Sequence, residues 1–468
     1  MSGAETSLRT RAFLRPSSVA VVGAGDRLTS SGGAVLRNLI RSGFKGRVVP
    51  VNPKGGELFG LPVARSLSEV TSPCDLVIIV VRSEAIPDVA REAAATGHRN
   101  LLVLPGGFAE SGDDGKLRDQ ELRSLSRDHD LVIGGPNCAG LINLTDPSAP
   151  FAGTFLRDLP LGGGVAVVSQ SGAIAEEIIA ASHAMSVPIG AVVSVGNAMH
   201  LGLAEFVDDL GSDPRCRAVL LYAESFGDRT RFREIARRIS AGKPVVALIG
   251  GRTPAGRGAV LRHTGSTALS DEEAEAFCRD SGIVRVTSLR RLLVAGKAFG
   301  SHPAGIGRRV LILSNSGGPG VLCTDQCAGE ELDLPDLPEA MRERLRALLP
   351  PEAAVANPLD LLADAREERF GDTLRTALEE GAGAFDAVLM IHVVPFMVDA
   401  SPVVERLAQL SRGAGVPILH SMMGTLEHKA DWVSAMEAAG VPLYDNVEDM
   451  AQAAGMLHRY RTLRMGNS

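Results

Sequence analysis

GVAVVSQSGA, residues 164–173, sets the reading of the whole chain. A short unbroken aliphatic run bounded by a turn marks a strand buried on both faces, as in parallel sheets. Here the run ends in Ser169–Gln170–Ser171–Gly172, and a helical pattern follows. Two other stretches repeat the design: SVAVVGAGD (18–26) and RRVLILSNSGGPG (308–320). The second and third turns match each other as S-x-S-G. Working outward from the first, RVVPVN (47–52), DLVIIVV (75–81), NLLVLP (100–105) and DLVIG (130–134) read as further strands. Ile86–Gly97 and Gly115–Asp128 read as the helices between them. The second series continues through IGAVVSVG (189–196), RAVLLYAE (217–224) and PVVALIGG (244–251). The third continues through AVLMIHVV (387–394) and VPILHS (416–421) and closes with a helical tail. Asp146–Gly164 lacks periodicity and reads as a linker, and Ser301–Gly307 breaks the second series from the third. This alternation predicts an α/β fold of three consecutive doubly wound modules, residues 1–145, 146–300 and 301–468, with right-handed crossovers.

Composition agrees. At about 150 residues per domain, 468 residues make roughly three domains. The 48 basic and 55 acidic residues leave a charge of −7, well dispersed, which excludes a nucleic-acid or anionic-membrane footprint. Glycine is abundant, at 52 residues, and aromatics make up only 4%, so tight turns and an aliphatic core are expected. Six cysteines (74, 138, 216, 278, 323 and 327) form no CxxC, and Cys323/Cys327 have no histidine nearby to complete a zinc site. They read as reduced, mostly buried thiols, and no metal is expected. No apolar run approaches about 18 residues, and the N-terminus lacks a signal-like apolar segment, so a cytoplasmic location is expected.

Each Gly/Ser turn between strand and helix sets free N–H groups and a positive helix end at one spot, which favours anions. One such turn is also what any doubly wound module needs structurally. The first turn, Gly23–Ala24–Gly25–Asp26–Arg27, is not a full GxGxxG: position 28 is Leu, with Gly32 and Gly33 beyond. Where an NAD site has an acid after its second strand, this chain has Lys54, which suits a ligand with an extra phosphate and argues against NAD.

Among ten histidines, His263 stands apart. It lies in GGRTPAGRGAVLRHTGSTALSDEEAEAF (250–277), too long and too Gly/Ser/Thr-rich for a plain connection, and expected to be a mobile loop. A histidine there either accepts a phosphoryl group as a nucleophile or is a surface residue with no role. His183, His200, His392 and His420 read as surface or core residues. Glu224, at the end of RAVLLYAE, is positioned to orient an imidazole or, more simply, to cap a helix. Asp208 and Asp209 read as helix-surface residues.

These motifs together resemble the α subunit of ADP-forming acyl-CoA synthetases (acetate–CoA ligase type) in the succinyl-CoA synthetase superfamily. SVAVVGAGDR (18–27), RNLIRSGFKGRVVPVNPK (37–54), PGGFAESG (105–112) and GGPNCAGLIN (134–143) are similar to its CoA-binding domain. VAVVSQSGA (165–173), VSVGNA (193–198), LLYAES (220–225) and RHTGS (262–266) are similar to its second domain. SNSGGPGVLCTDQ (314–326) and ANPLDLL (356–362) are similar to its third. The resemblance implies a Rossmann-like CoA-binding domain followed by two flavodoxin-like, succinyl-CoA synthetase-like domains. It implies that His263 is transiently phosphorylated and that Glu224 hydrogen-bonds it. Ser169, Gln170, Ser171 and Gly172, with Ser314, Asn315, Ser316, Gly317 and Gly318, would cradle the phosphoryl group. Gly23, Ala24, Gly25, Asp26, Arg27 and Lys54 would hold CoA, with Val81, Ser83, Gly107, Glu110 and Asn137 completing that site.

The implied reaction interconverts acyl-CoA, ADP and phosphate with acid, CoA and ATP through an acyl-phosphate. No stretch after Leu361 has the length of the family's ATP-grasp part, so a separate ATP-grasp β subunit carrying Mg and ATP/ADP is expected, in an α2β2 assembly. The chain departs from the family at Ile249–Gly251, where a Lys is usual, at Arg262, where a Ser is usual, and at Arg82, where a Pro is usual. These departures motivate the alternative of a CoA or acyl-CoA sensor, or a scaffold, that kept the fold without turnover.

Overall fold

A computed structural model of the chain describes residues 3–27, 29–264, 267–395, 398–424 and 428–466. Leu28, and Gly265 and Ser266 of the RHTGS motif, lie outside the described residues. The chain divides into two compact units, one ending at Leu292 and the other beginning at Leu293.

The first unit holds two sheets. In the first, β1 (Ser18–Val22) pairs with β2 (Arg47–Val51). A small hairpin, β3 (Glu57–Leu58) and β4 (Leu61–Pro62), precedes β5 (Leu76–Ile79), β6 (Asn100–Val103) and β7 (Val132–Gly134). The order β2-β1-β5-β6-β7 is parallel throughout. The second sheet contains β8 (Gly140–Asn143), β9 (Phe151–Thr154), β10 (Val165–Ser169), β11 (Ile189–Ser194), β12 (Ala218–Ala223), β13 (Val245–Ile249) and β14 (Val284–Val286), in the order β14-β13-β12-β10-β11-β8-β9. Its last two strands are antiparallel additions beside β11. The stretch read as a linker therefore contains a strand. By pairing, Gly140–Asn143 belongs to the second sheet, although its position in sequence falls within the first module. Both strands are buried on both faces, but GLIN and FAGT are not unbroken aliphatic runs, so neither stands out in the sequence.

The second unit holds β15 (Val310–Ser314), β16 (Leu359–Asp360), β17 (Ala387–Val393), β18 (Ile418–Met423) and β19 (Leu443–Tyr444), parallel in the order β16-β15-β17-β18-β19. Counting only the parallel strands of each series, all three sheets follow one order, 2-1-3-4-5. That order reverses between strands 1 and 3, and the carboxyl ends flanking the reversal are where open α/β sheets bind ligands. The three Gly/Ser turns follow β1, β10 and β15, so each stands at its own sheet's reversal.

Cores are aliphatic. Val19, Val21, Val168, Leu221 and Phe277 belong to one buried cluster that runs through both sheets of the first unit. The N-terminal helix Gly3–Leu14 is fixed to the second sheet's side of this unit: Thr10 Oγ1 donates to Asp209 Oδ2 at 2.7 Å, and Arg15 pairs with both Asp209 and Asp213 at 2.7 Å. Asp209 is thus a buried ion-pair partner and not a surface residue, while Asp208 pairs with Arg238. All six cysteines are free and buried. No described helix is long and apolar enough to cross a membrane.

Candidate active site

The turn after β1 is built by close backbone approach. Gly23 has φ +90°, and a Cβ there would lie 3.0 Å from the Val80 carbonyl. A Cβ on Gly32 would lie 2.1 Å from Gly23 O, so the helix Ser31–Arg41 begins against the turn itself. Ser30 caps that helix, accepting from Gly33 N at 3.2 Å. Asn52 Nδ2 donates to Ala24 O at 2.7 Å, and Lys54 N donates to Asn52 Oδ1 at 3.0 Å. Asn52 therefore holds Lys54 beside Gly23–Arg27, and Asp26, Arg27 and Lys54 are exposed there.

The other expected coenzyme residues form a second group. Val81 and Ser83 follow β5, and a Cβ on Gly107 would lie 2.6 Å from Ser83 Oγ. Glu110 Oε1 accepts from Gly107 N at 2.5 Å and from Phe108 N at 3.2 Å; its Oε2 accepts from Asn197 Nδ2. Asn137 Nδ2 donates to Asn197 Oδ1 at 3.3 Å. Burial works against ionisation of Glu110, but the Asn197 amide and the loop N–H groups outweigh it and hold the carboxyl below its ordinary range. Both Glu110 oxygens thus have protein partners, and Glu110 acts as a brace between the 105–112 loop and Asn197.

The turn after β10 is a hydrogen-bonded knot. Ser169 Oγ donates to Ser171 O at 2.7 Å and accepts from Ser171 N at 3.1 Å. Ser171 Oγ accepts from Ile174 N at 3.3 Å, capping the helix Gly172–Met185. Gln170 reaches across the sheet's reversal: its Oε1 accepts from Glu224 N and Ser225 N, and its Nε2 donates to Ser225 O at 2.8 Å. Glu224 is buried, and its Oε1 accepts from the Tyr222 hydroxyl at 3.2 Å. Burial and the neighbouring Glu224 push the Tyr222 hydroxyl up to about 12, so it stays a donor. Glu224 Oε2 is left facing His263 Nδ1 at 3.2 Å.

The loop expected over 250–277 is instead largely helical, as Pro254–Thr264 and Asp271–Asp280. Pro254 suits a first helical position; Gly256 and Gly258, which suggest a loop, stand inside a helix of which Val260 alone is buried among the described side chains. His263 stands in its last turn, with 65% of the side chain exposed. It is carried on the last turn of this helix. Arg262 is exposed and folds back along its own helix, with Nη1 3.4 Å from where a Gly258 Cβ would stand. Ile249 is buried at the end of β13, and a Cβ on Gly250 would lie 3.3 Å from the Tyr222 hydroxyl. Arg82 is exposed.

A cavity of about 540 Å³ joins these parts of the first unit. Gln170, Ser171, Gly172 and His263 line it together with Asn137, Gly106 and Val80. Coenzyme-side and phosphate-side candidates thus share one space, with a helix N-terminus and an imidazole in its wall. Cys138, also in the wall, is inert: burial pushes its thiol up to about 12. Tyr222, Asn197 and Asn52 are supports that sequence reasoning did not single out, although LLYAES, VSVGNA and RVVPVN contain them.

In the second unit the same knot recurs. Ser314 Oγ donates to Ser316 O at 2.8 Å and accepts from Ser316 N at 3.0 Å. Asn315 brackets Val393 through both its N–H and its carbonyl, at 2.8 and 2.9 Å. Gly317 and Gly318 open the helix Gly317–Gly329, and both are exposed.

Comparison with known proteins now defines the class. Residues 17–143 match the CoA binding domain family, 162–299 the succinyl-CoA ligase like flavodoxin domain, and 310–464 the ligase-CoA domain. The chain is 33% identical to the acetate–CoA ligase [ADP-forming] II subunit alpha of Pyrococcus furiosus, over 94% of this chain and 96% of that one. It is 28% identical to the 4-hydroxybutyrate–CoA ligase [ADP-forming] of Nitrosopumilus maritimus, over 96% of this chain and 64% of that protein. Among solved structures, the dinucleotide forming acetyl-coenzyme A synthetase 1 of Ca. Korarchaeum cryptofilum, in complex with phosphate and ADP, superposes with a TM-score of 0.90 at 30% identity, covering 97% of each chain. The chain belongs to the ADP-forming acid–CoA ligase family, on the α-subunit side.

Proposed function

We propose that this chain binds CoA, forms an acyl-phosphate, and carries its phosphoryl group on His263. Acyl-CoA and phosphate give acyl-phosphate and free CoA. The imidazole then attacks phosphorus: an N–P bond forms, the P–O bond to the acyl group breaks, and the acid leaves as a carboxylate. The phosphoryl group passes to ADP. In reverse, ATP, acid and CoA give acyl-CoA, ADP and phosphate.

The observation that carries this reading is the 3.2 Å contact from Glu224 Oε2 to His263 Nδ1, beside a cavity lined by the Ser171–Gly172 helix end. Nδ1–H donates to the carboxylate, which leaves Nε2 with its lone pair as the nucleophile. Glu224 also steadies the positive charge the ring gains as the N–P bond forms. The helix N-terminus at Ser171–Gly172 stabilises the transferring anion, and Ser314–Gly318 does the same at a later station.

The nucleotide half-reaction belongs to an ATP-grasp β subunit that holds Mg and ATP/ADP, in an α2β2 assembly in the cytoplasm. Support comes from the Pyrococcus relative, which is itself a subunit alpha of matching length. Residues 1–145, 146–300 and 301–468 are taken as the coenzyme, phosphohistidine and third working modules. No observation favours a sensor, since Tyr222 and Gln170 hold Glu224 in line with His263.

The test is γ-labelled ATP with the chain and its nucleotide-binding partner. Wild type takes up label that is lost in acid and kept in base; His263→Asn takes up none. Equal labelling of both would refute the reading.

A further inference from the structure

The cavity beside His263 has two kinds of wall. Gln170, Ser171 and Gly172 offer N–H groups at a helix N-terminus. Phe155, Leu156, Leu104 and Val80 offer apolar surface, and Glu176 adds a carboxylate. Phe155 is 37% exposed, a large aromatic left uncovered within this wall. Glu176 has no hydrogen-bond or ion-pair partner among the described residues.

Spacing fixes what Glu176 can do. Gly172 and Glu176 are four residues apart on the helix Gly172–Met185, hence on one face and about 6 Å apart along its axis. Helical side chains lean toward the N-terminus, so the Glu176 carboxylate tilts toward the end that receives anions. A substrate carboxylate that meets the phosphoryl group held at that end would bring a second carboxylate, a few bonds further on, toward Glu176 in the same wall. Like charges about 6 Å apart cost roughly threefold in affinity in water and roughly a hundredfold at the effective dielectric of about 20 near a protein surface, and an exposed carboxylate such as Glu176 falls between these at roughly tenfold. Methylenes laid on Phe155 and Leu156 gain about fourfold each when fully buried.

We propose that Glu176 and Phe155 set the acid this site takes: a monocarboxylic acid with an apolar body and no second negative charge. The proposal rests on the function proposed above. Glu176 is a specificity determinant and makes no bond to the reacting atoms.

The experiment is internal competition in the complete enzyme, this chain with its nucleotide-binding partner, given ATP, CoA and two acids in one tube. The ratio of two products from one tube does not depend on how much of a variant is folded. With butanoate and butanedioate, wild type makes at least about tenfold more butanoyl-CoA, and Glu176→Gln lowers that ratio at least about fivefold. With hexanoate and acetate, Phe155→Ala lowers the preference for hexanoate at least about fourfold. Wild type favouring butanedioate, or a ratio unmoved by Glu176→Gln, overturns the proposal. Label from ATP on His263 is read in parallel. With label present, a failure belongs to the specificity proposal; with label absent, the parent reading falls and takes this one with it.

Discussion

At the level of single residues, Glu224 works because its backbone and side chain are both held. Gln170 takes its N–H, Tyr222 donates to one oxygen, and only the other oxygen is left for His263. Glu224→Gln keeps the shape and removes the charge, so phosphorylation of His263 should slow by at least about a hundredfold, the usual scale for losing a catalytic acid–base partner. Rapid-quench labelling checks this, and a rate within a few-fold of wild type would contradict it. Gly32 has a different kind of necessity. Its Cβ would lie 2.1 Å from Gly23 O, which no side-chain rotation relieves. Gly32→Ala should therefore displace the Gly23–Arg27 turn and weaken CoA binding by more than about tenfold in calorimetry, with a stability cost of about 1–3 kcal/mol from overpacking. His263 and Glu224 were legible in sequence as residue types at a strand end and in a Gly-rich stretch. Their supports were not, because a tyrosine two residues before an acid carries no signature until the strand's pleat turns both toward one point.

Among elements, the recurring device is an amide that bridges a sheet's reversal. Gln170 ties the β10 turn to the end of β12, and Asn315 ties the β15 turn to Val393 at the end of β17. Asn315→Ala leaves a backbone N–H and C=O without partners, which should cost its unit about 1–3 kcal/mol. The chain's single tryptophan, Trp432, is buried in that unit and bonded to Ser401 Oγ at 3.0 Å. Its fluorescence in denaturant reads that unit alone, and an unshifted midpoint would count against the bridge. The strand–turn–helix repeats were plain in the sequence, since aliphatic runs and S-x-S-G turns are local. The helix Pro254–Thr264 was hidden by its glycines, and β8 (GLIN) and β9 (FAGT) by the lack of an aliphatic run.

For the molecule as a whole, the second unit carries a cost tied to acidity. His392 and His420 are buried with rings stacked 6.3 Å apart, and neither His420 nitrogen has a hydrogen-bond partner among the described residues. Burial holds His392 at about 4 and His420 at about 3. The unfolded chain protonates both near the ordinary value of about 6.5. Below that pH the unfolded state binds more protons, so stability falls as pH drops from about 6.5 toward the folded values, by up to about 1.4 kcal/mol per pH unit for each ring; above about 6.5 the pair contributes no slope. His420→Leu should flatten the slope in Trp432-monitored unfolding between pH 6.5 and 4.5, and an unchanged slope would contradict the assignment.

The reversal of strand order, repeated in the three larger sheets, puts each Gly/Ser turn where open α/β sheets bind ligands, and in the first unit an imidazole backed by a buried carboxylate stands beside it. The most direct measurement therefore needs no partner. The chain alone is incubated with an acyl-phosphate and digested at alkaline pH, and the fragments are weighed. One phosphoryl group on the fragment containing His263, absent from Glu224→Gln at the same early time, is the expected result. A phosphoryl group on another residue, or none on any fragment while CoA still binds, would contradict it.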